Sequence, residues 1–111
     1  MARPVSVGKN LTANTLTLIY TVPNGYYAKW NLMYLFNNGG STKSITAYWH
    51  DVSESADIYV HNGSIASGSY VRQDGGAYVI LEEGDKIYMQ SEAGSTFSTI
   101  CTFEIYKRDG L

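Results

Sequence analysis

The side chains able to do nucleophilic, acid–base or metal chemistry near neutral pH are few: two histidines, His50 and His61, and one cysteine, Cys101. The histidines are eleven positions apart, a spacing that fits no compact metal motif, with Asp51 and Asp57 as the nearby carboxylates. A single cysteine excludes an internal disulfide and a cysteine-based zinc site. Cys101 alternates with Thr99, Phe103 and Ile105 along one strand face, which reads as a small buried apolar residue. Glu82 and Glu83 are adjacent, so on a strand end they point to opposite sides, and Gly84-Asp85 follows as a turn with solvated charges. No Gly-x-Ser-x-Gly elbow occurs, and Gly39-Gly40 and Gly75-Gly76 lack the helix that a phosphate loop requires. The expectation is no catalytic residue, no bound cofactor and no metal.

Stepping along the chain, apolar residues alternate and rarely recur at three-to-four spacing, and ten tyrosines with abundant Thr, Val and Ile favour pleated structure. Strands are expected near 15–22, 26–36, 43–50, 56–60, 68–72, 77–81, 86–91 and 96–106. Turns are expected at Pro23-Asn24-Gly25, at 37–41, at 51–55, at Asp74-Gly75-Gly76, at 82–85 and at Ala93-Gly94-Ser95. The fold class is all-β: a single antiparallel β-sandwich or jelly roll of about eight strands, residues 11–111, preceded by an extended N-terminal arm, residues 1–10. Pro4 and Gly8 argue against a central strand in that arm, while Val5 and Val7 suit strand addition to a neighbour. On the first strand Leu16, Leu18 and Tyr20 share a face. On the second, Ala28, Trp30, Leu32, Tyr34 and Phe36 form one stripe, and Met33 and Leu35 make the other face apolar as well. Ile45, Ala47 and Trp49 alternate with Thr46, Tyr48 and His50 on the third.

The 111 residues make one domain, 44% hydrophobic and only 16% charged, against roughly 25% charged in ordinary soluble domains. So low a charge implies surface covered by a partner. A net charge of -2 gives no basic field for nucleic acid or an anionic membrane. No apolar run approaches the roughly 20 residues of a membrane helix, and residues 1–4 lack the apolar core of a signal peptide. Tyrosine gives large contact area at low entropy cost, and a domain this small cannot bury all ten. The candidate interface is therefore Val5, Val7, Tyr26, Tyr27, Met33, Leu35, Tyr48, Tyr59 and Tyr70.

Two segments carry a family resemblance. Ile19-Tyr20-Thr21-Val22-Pro23-Asn24-Gly25-Tyr26 resembles the opening motif of small bacteriophage virion proteins, and Val79-Ile80-Leu81-Glu82-Glu83-Gly84-Asp85-Lys86-Ile87 resembles their Leu-Glu-x-Gly-Asp turn. The strands 43–50 and 97–106 complete a likeness spanning about residues 15–106. The family comprises capsid decoration (cement) subunits and tail- or fibre-associated subunits. The resemblance implies a non-enzymatic protein of the virion, assembled in the host cytoplasm, with no catalytic residues. It implies contacts with a major capsid protein or tail proteins, and with its own copies, a trimer being favoured. The aromatic content is higher than in the Ala- and Val-rich members. A tail, baseplate or fibre component and a carbohydrate-binding, lectin-like module stand as the alternatives.

Overall fold

A computed structural model describes residues 3–74 and 79–108. All regular structure among them is β: β1 Arg3–Asn10, β2 Thr17–Thr21, β3 Tyr26–Asn37, β4 Lys43–Asp51, β5 Ala56–Ile65, β6 Tyr70–Gln73, β7 Val79–Leu81, β8 Lys86–Ser91 and β9 Phe97–Lys107. Two antiparallel sheets form the sandwich. One, sheet A, runs β1-β9-β3-β6, with β7 pairing a further stretch of β3. The other, sheet B, runs β2-β8-β4-β5. This interleaving of distant segments is the jelly-roll order. The core between the sheets is built from alternating inward residues, including Ala28, Trp30, Leu35, Ile45, Ala47, Leu81, Ile87, Met89, Phe97 and Phe103.

The segment expected as a free arm is an edge strand. Arg3–Asn10 pairs with β9 over its whole length, from Arg3 opposite Ile105 to Asn10 opposite Ser98. An edge strand has one unpaired side, so Pro4 is tolerated there, and a Cβ at Gly8 would meet only Thr99 O, at an ordinary contact distance of 3.8 Å. Val5 and Val7 lie opposite Phe103 and Cys101 and pack, half-buried, against the core.

Two β-bulges correct the face assignments. In β2, Leu18 lies opposite Tyr88 and Tyr20 opposite Ile87, leaving Ile19 as the extra residue. Leu16 and Leu18 consequently face solvent, whereas Ile19 and Val22 are buried and Tyr20 stacks on Phe103 at 4.4 Å. In β3, Trp30 lies opposite Phe103 and Leu32 opposite Thr102, so Asn31 is the extra residue. An inserted residue moves all later side chains to the other face. Ala28 and Trp30 point inward, but beyond the bulge it is Met33, Leu35 and Asn37 that are buried, and Leu32, Tyr34 and Phe36 that face out. Met33 and Leu35, expected on the interface, are core residues at 3% and 0% exposure, and Tyr34, expected inward, is on the surface.

The turns at residues 23–26 and 82–85 are alike and lie together. Tyr26 N donates to Pro23 O and Asp85 N to Glu82 O, and Gly25 and Gly84 at the third positions have φ of 84°, the left-handed region where a Cβ is strained. Val22 N donates to Asp85 O, Gly84 N to Val22 O, and Gly25 N to Glu83 Oε1. Asp85 is the hub of this junction. Its buried carboxylate accepts from Trp49 Nε1 at 3.1 Å, Val52 N at 3.1 Å and Glu82 N at 2.9 Å. The turn carboxylate expected in solvent is thus a structural tie between β7–β8 and β4. Asn37 is the counterpart at the other end of β3. It is fully buried, donating to Ser41 O and Ile65 O while accepting from Gly39 N. The expected Gly75-Gly76 turn and Tyr78 lie outside the described residues.

Cys101 is fully buried, and burial pushes its thiol up from the ordinary value near 9 to about 12, with a smaller opposing effect from a hydrogen bond with Trp30. A folded-state pKa raised above the unfolded one favours folding fully below pH 9, and this contribution is lost as pH rises from about 9 toward 12. The native thiol should therefore resist iodoacetamide at pH 8 and be alkylated only on unfolding. Alkylation of the native protein at the rate of a free thiol would contradict this placement.

Candidate interaction surfaces

The nine residues expected at an interface divide by face. Met33 and Leu35 are buried in the core, and Val5, Val7 and Tyr26 are half-buried and pack against it. Tyr27 and Tyr70 lie on the outside of sheet A, and Tyr48 and Tyr59 on the outside of sheet B. Tyr27 stacks on Tyr106 with centroids 5.0 Å apart, and Tyr34 meets Tyr70 at 5.3 Å.

On sheet A, β3 and β9 bring a group of apolar side chains to one outward patch. Leu32, Tyr34 and Phe36 alternate outward along β3, Ile100 lies opposite Tyr34, and Tyr70 lies opposite Phe36. Ile100 is 40% exposed and Tyr70 56%. Beside this patch Asn38 donates to Ser98, and Ser98 to Asn10.

On sheet B a single row crosses all four strands: Leu18 on β2, Tyr88 on β8, Tyr48 on β4 and Tyr59 on β5. Tyr48 lies 5.6 Å from Tyr88 and 5.8 Å from Tyr59, centroid to centroid. Burial raises the Tyr48 phenol above its ordinary value, with smaller contributions from the Asp57 carboxylate and the neighbouring Tyr88 and Tyr59, so it stays a protonated donor at neutral pH. Tyr88 and Leu18 were not among the expected contact residues. The outward register of Lys86, Tyr88 and Gln90 between inward Ile87 and Met89 was available as the signal for Tyr88.

The two histidines are not brought together. His50 faces out from β4, its Nδ1 2.7 Å from Asp57 Oδ1 in a solvent-exposed pair. His61 lies opposite Ala47 on the inward side of β5, and its buried Nε2 has no hydrogen-bond partner. Among the described residues no three His, Cys, Asp or Glu side chains converge as metal ligands would. The ion pairs Arg72–Asp74 and Arg108–Glu83 are exposed and tie neighbouring turns at little net energy.

No protein-family model matches this sequence, and no curated protein matches it. Solved structures do share the fold. A chain from the Bacillus endospore appendages described as disulfide-linked pili is 17% identical, with a TM-score of 0.60 over 96% of this chain and 87% of that one. A chain of infectious bursal disease virus, Gx strain, is 7% identical with a TM-score of 0.58, covering 99% of this chain, which spans only 34% of the viral one. The globular domain of zebrafish complement 1qA is 13% identical at a TM-score of 0.50, over 94% and 97% of the two chains. At these identities the likeness is one of fold: an all-β sandwich of the jelly-roll kind.

Proposed function

We propose that this chain is a non-enzymatic structural subunit of a bacteriophage virion, a capsid decoration (cement) protein that stabilises the head through protein–protein contacts and assembles with its own copies, a trimer being favoured. The observation that carries this reading is the outward patch of sheet A, where Leu32, Tyr34, Phe36, Tyr70 and Ile100 adjoin, with Arg72, opposite Tyr34 and paired to Asp74, as the charged side chain at its β6 edge. An exposed apolar patch rimmed by polar residues is the usual mark of a protein contact, and aromatic side chains are enriched where such contacts are strong. Support also comes from the sequence motifs at 19–26 and 79–87, which the fold joins into one junction, and from the fold's likeness to a viral chain.

The double substitution Ile100→Asp with Tyr70→Ser tests the patch. Both side chains stand out from the sheet, so the melting temperature should move little. The parent chain should scatter light as an oligomer and enter particles, and the variant should remain monomeric and be excluded from them. A monomeric parent that never associates with a particle, or a variant that assembles as well as the parent, contradicts the proposal.

A further inference from the structure

The outer face of sheet B differs in kind from that of sheet A. A shallow groove of about 360 Å³ lies beside Tyr48 and Tyr59 and is lined also by Thr46, Gln90, Asp57 and Glu92. Tyr59 is 63% exposed, so one ring face is open to a ligand. Much of the groove's hydrogen-bonding capacity is unspent. Among the described residues the Gln90 amide and the Tyr48 and Tyr59 hydroxyls have no partner, and Asp57 commits only Oδ1, to His50.

The geometry points to a binding site for a neutral or amine-bearing oligosaccharide in this groove. A pyranose ring has an apolar C–H face that stacks on a tyrosine ring, and an edge of hydroxyls that bond planar amides and carboxylates. Tyr48 and Tyr59 supply the stacking faces, set 5.8 Å apart, a separation of the order of one sugar ring. Gln90 and Thr46 flank them on the adjacent row, where Thr46 lies opposite Gln90. The charge of the lining selects the sugar class: it contains Asp57 and Glu92 and no lysine or arginine, which disfavours uronic, sialic or phosphorylated glycans. The same lining makes the groove a poor seat for an apolar protein surface, because these polar groups would be desolvated without partners.

The test is an NMR titration of the isolated chain with maltohexaose, N-acetylchitohexaose and xylohexaose, with sialyllactose as the anionic comparator. At least one neutral sugar should shift the Gln90 side-chain amide and the Tyr48 and Tyr59 backbone amides, with sialyllactose leaving them in place. Tyr59→Ala and Gln90→Ala should each weaken that binding by about tenfold or more at an unchanged melting temperature. The site is overturned if none of the three neutral sugars shifts these signals at concentrations of about 10 mM, or if the variants bind as the parent does. It is equally overturned if Tyr59→Ala changes the oligomer size while no sugar binds, since the face is then a contact between copies. Because the titration uses the isolated chain, its failure leaves the assignment to a particle standing, and the converse holds.

Discussion

Asp85→Ala is expected to cost about 3–4 kcal/mol of folding stability, out of all proportion to a carboxylate in a turn. Three donors converge on this side chain: the Trp49 indole and the backbone N–H groups of Val52 and Glu82. Alanine leaves them without their acceptor in a site where Asp85 itself is 1% exposed. Each orphaned buried donor costs about 1–3 kcal/mol, and the Trp49 indole is itself only half-buried, which holds the total below the simple sum. For a domain of this length the change corresponds to a fall in Tm of about 10–20 °C. Asp85→Asn keeps one acceptor oxygen but turns an NH2 group toward donors, so it should fall between alanine and the parent. Thermal melting of the three proteins checks the order, and an alanine variant within about 1 kcal/mol of the parent rules out the hub described here.

Trp30→Ala should be of similar size, about 3–5 kcal/mol, for a different reason. The indole is 5% exposed, has its ring centroid 6.2 Å from that of Phe103 on the neighbouring strand, and donates through Nε1 to Leu32 O at 3.0 Å. That hydrogen bond spans the bulge at Asn31, so the side chain fills the core and also fixes the point where β3 changes face. Trp30→Phe, which restores most of the volume but not the donor, should recover more than half of the loss. Urea unfolding separates the cases: a phenylalanine variant as unstable as alanine would mean that the bulge bond, not the packing, dominates.

The legible part of the fold was local. Alternation of Lys86, Tyr88 and Gln90 with Ile87, Met89 and Ser91 defines β8 with the bounds the structure has, and the Gly25 and Gly84 turns follow from their residue types. What was not legible depends on single residues or on distant partners. Nothing in the composition of 26–37 marks Asn31 as an inserted residue, yet that one residue moves Met33 and Leu35 from the surface to the core. Pro4 and Gly8 count against a strand only until β9, far away in sequence at Glu104 and Ile100, offers an edge. Asp85 is recognisable as a turn residue, but two of its three donors come from β4 and the residue after it, which local pattern cannot bring to it. The interaction surfaces share this limit. Tyr48 and Tyr59 stand on the outer face, and the row they form with Tyr88 and Leu18 exists only through strand pairing.

These pieces give a chain with two dissimilar outer faces, an apolar patch on sheet A and a polar-aromatic row on sheet B, held together by a core and by buried ties at Asn37 and Asp85. The central claim is that such a chain is a building part of a phage particle. Electron cryomicroscopy, at side-chain resolution, of intact particles proposed to contain the chain tests it most directly. The account predicts copies of this sandwich on the head, with Leu32, Phe36, Tyr70 and Ile100 covered by a neighbouring protein. Particles that contain no density for the chain, or that hold it with the sheet A patch open to solvent, would contradict it.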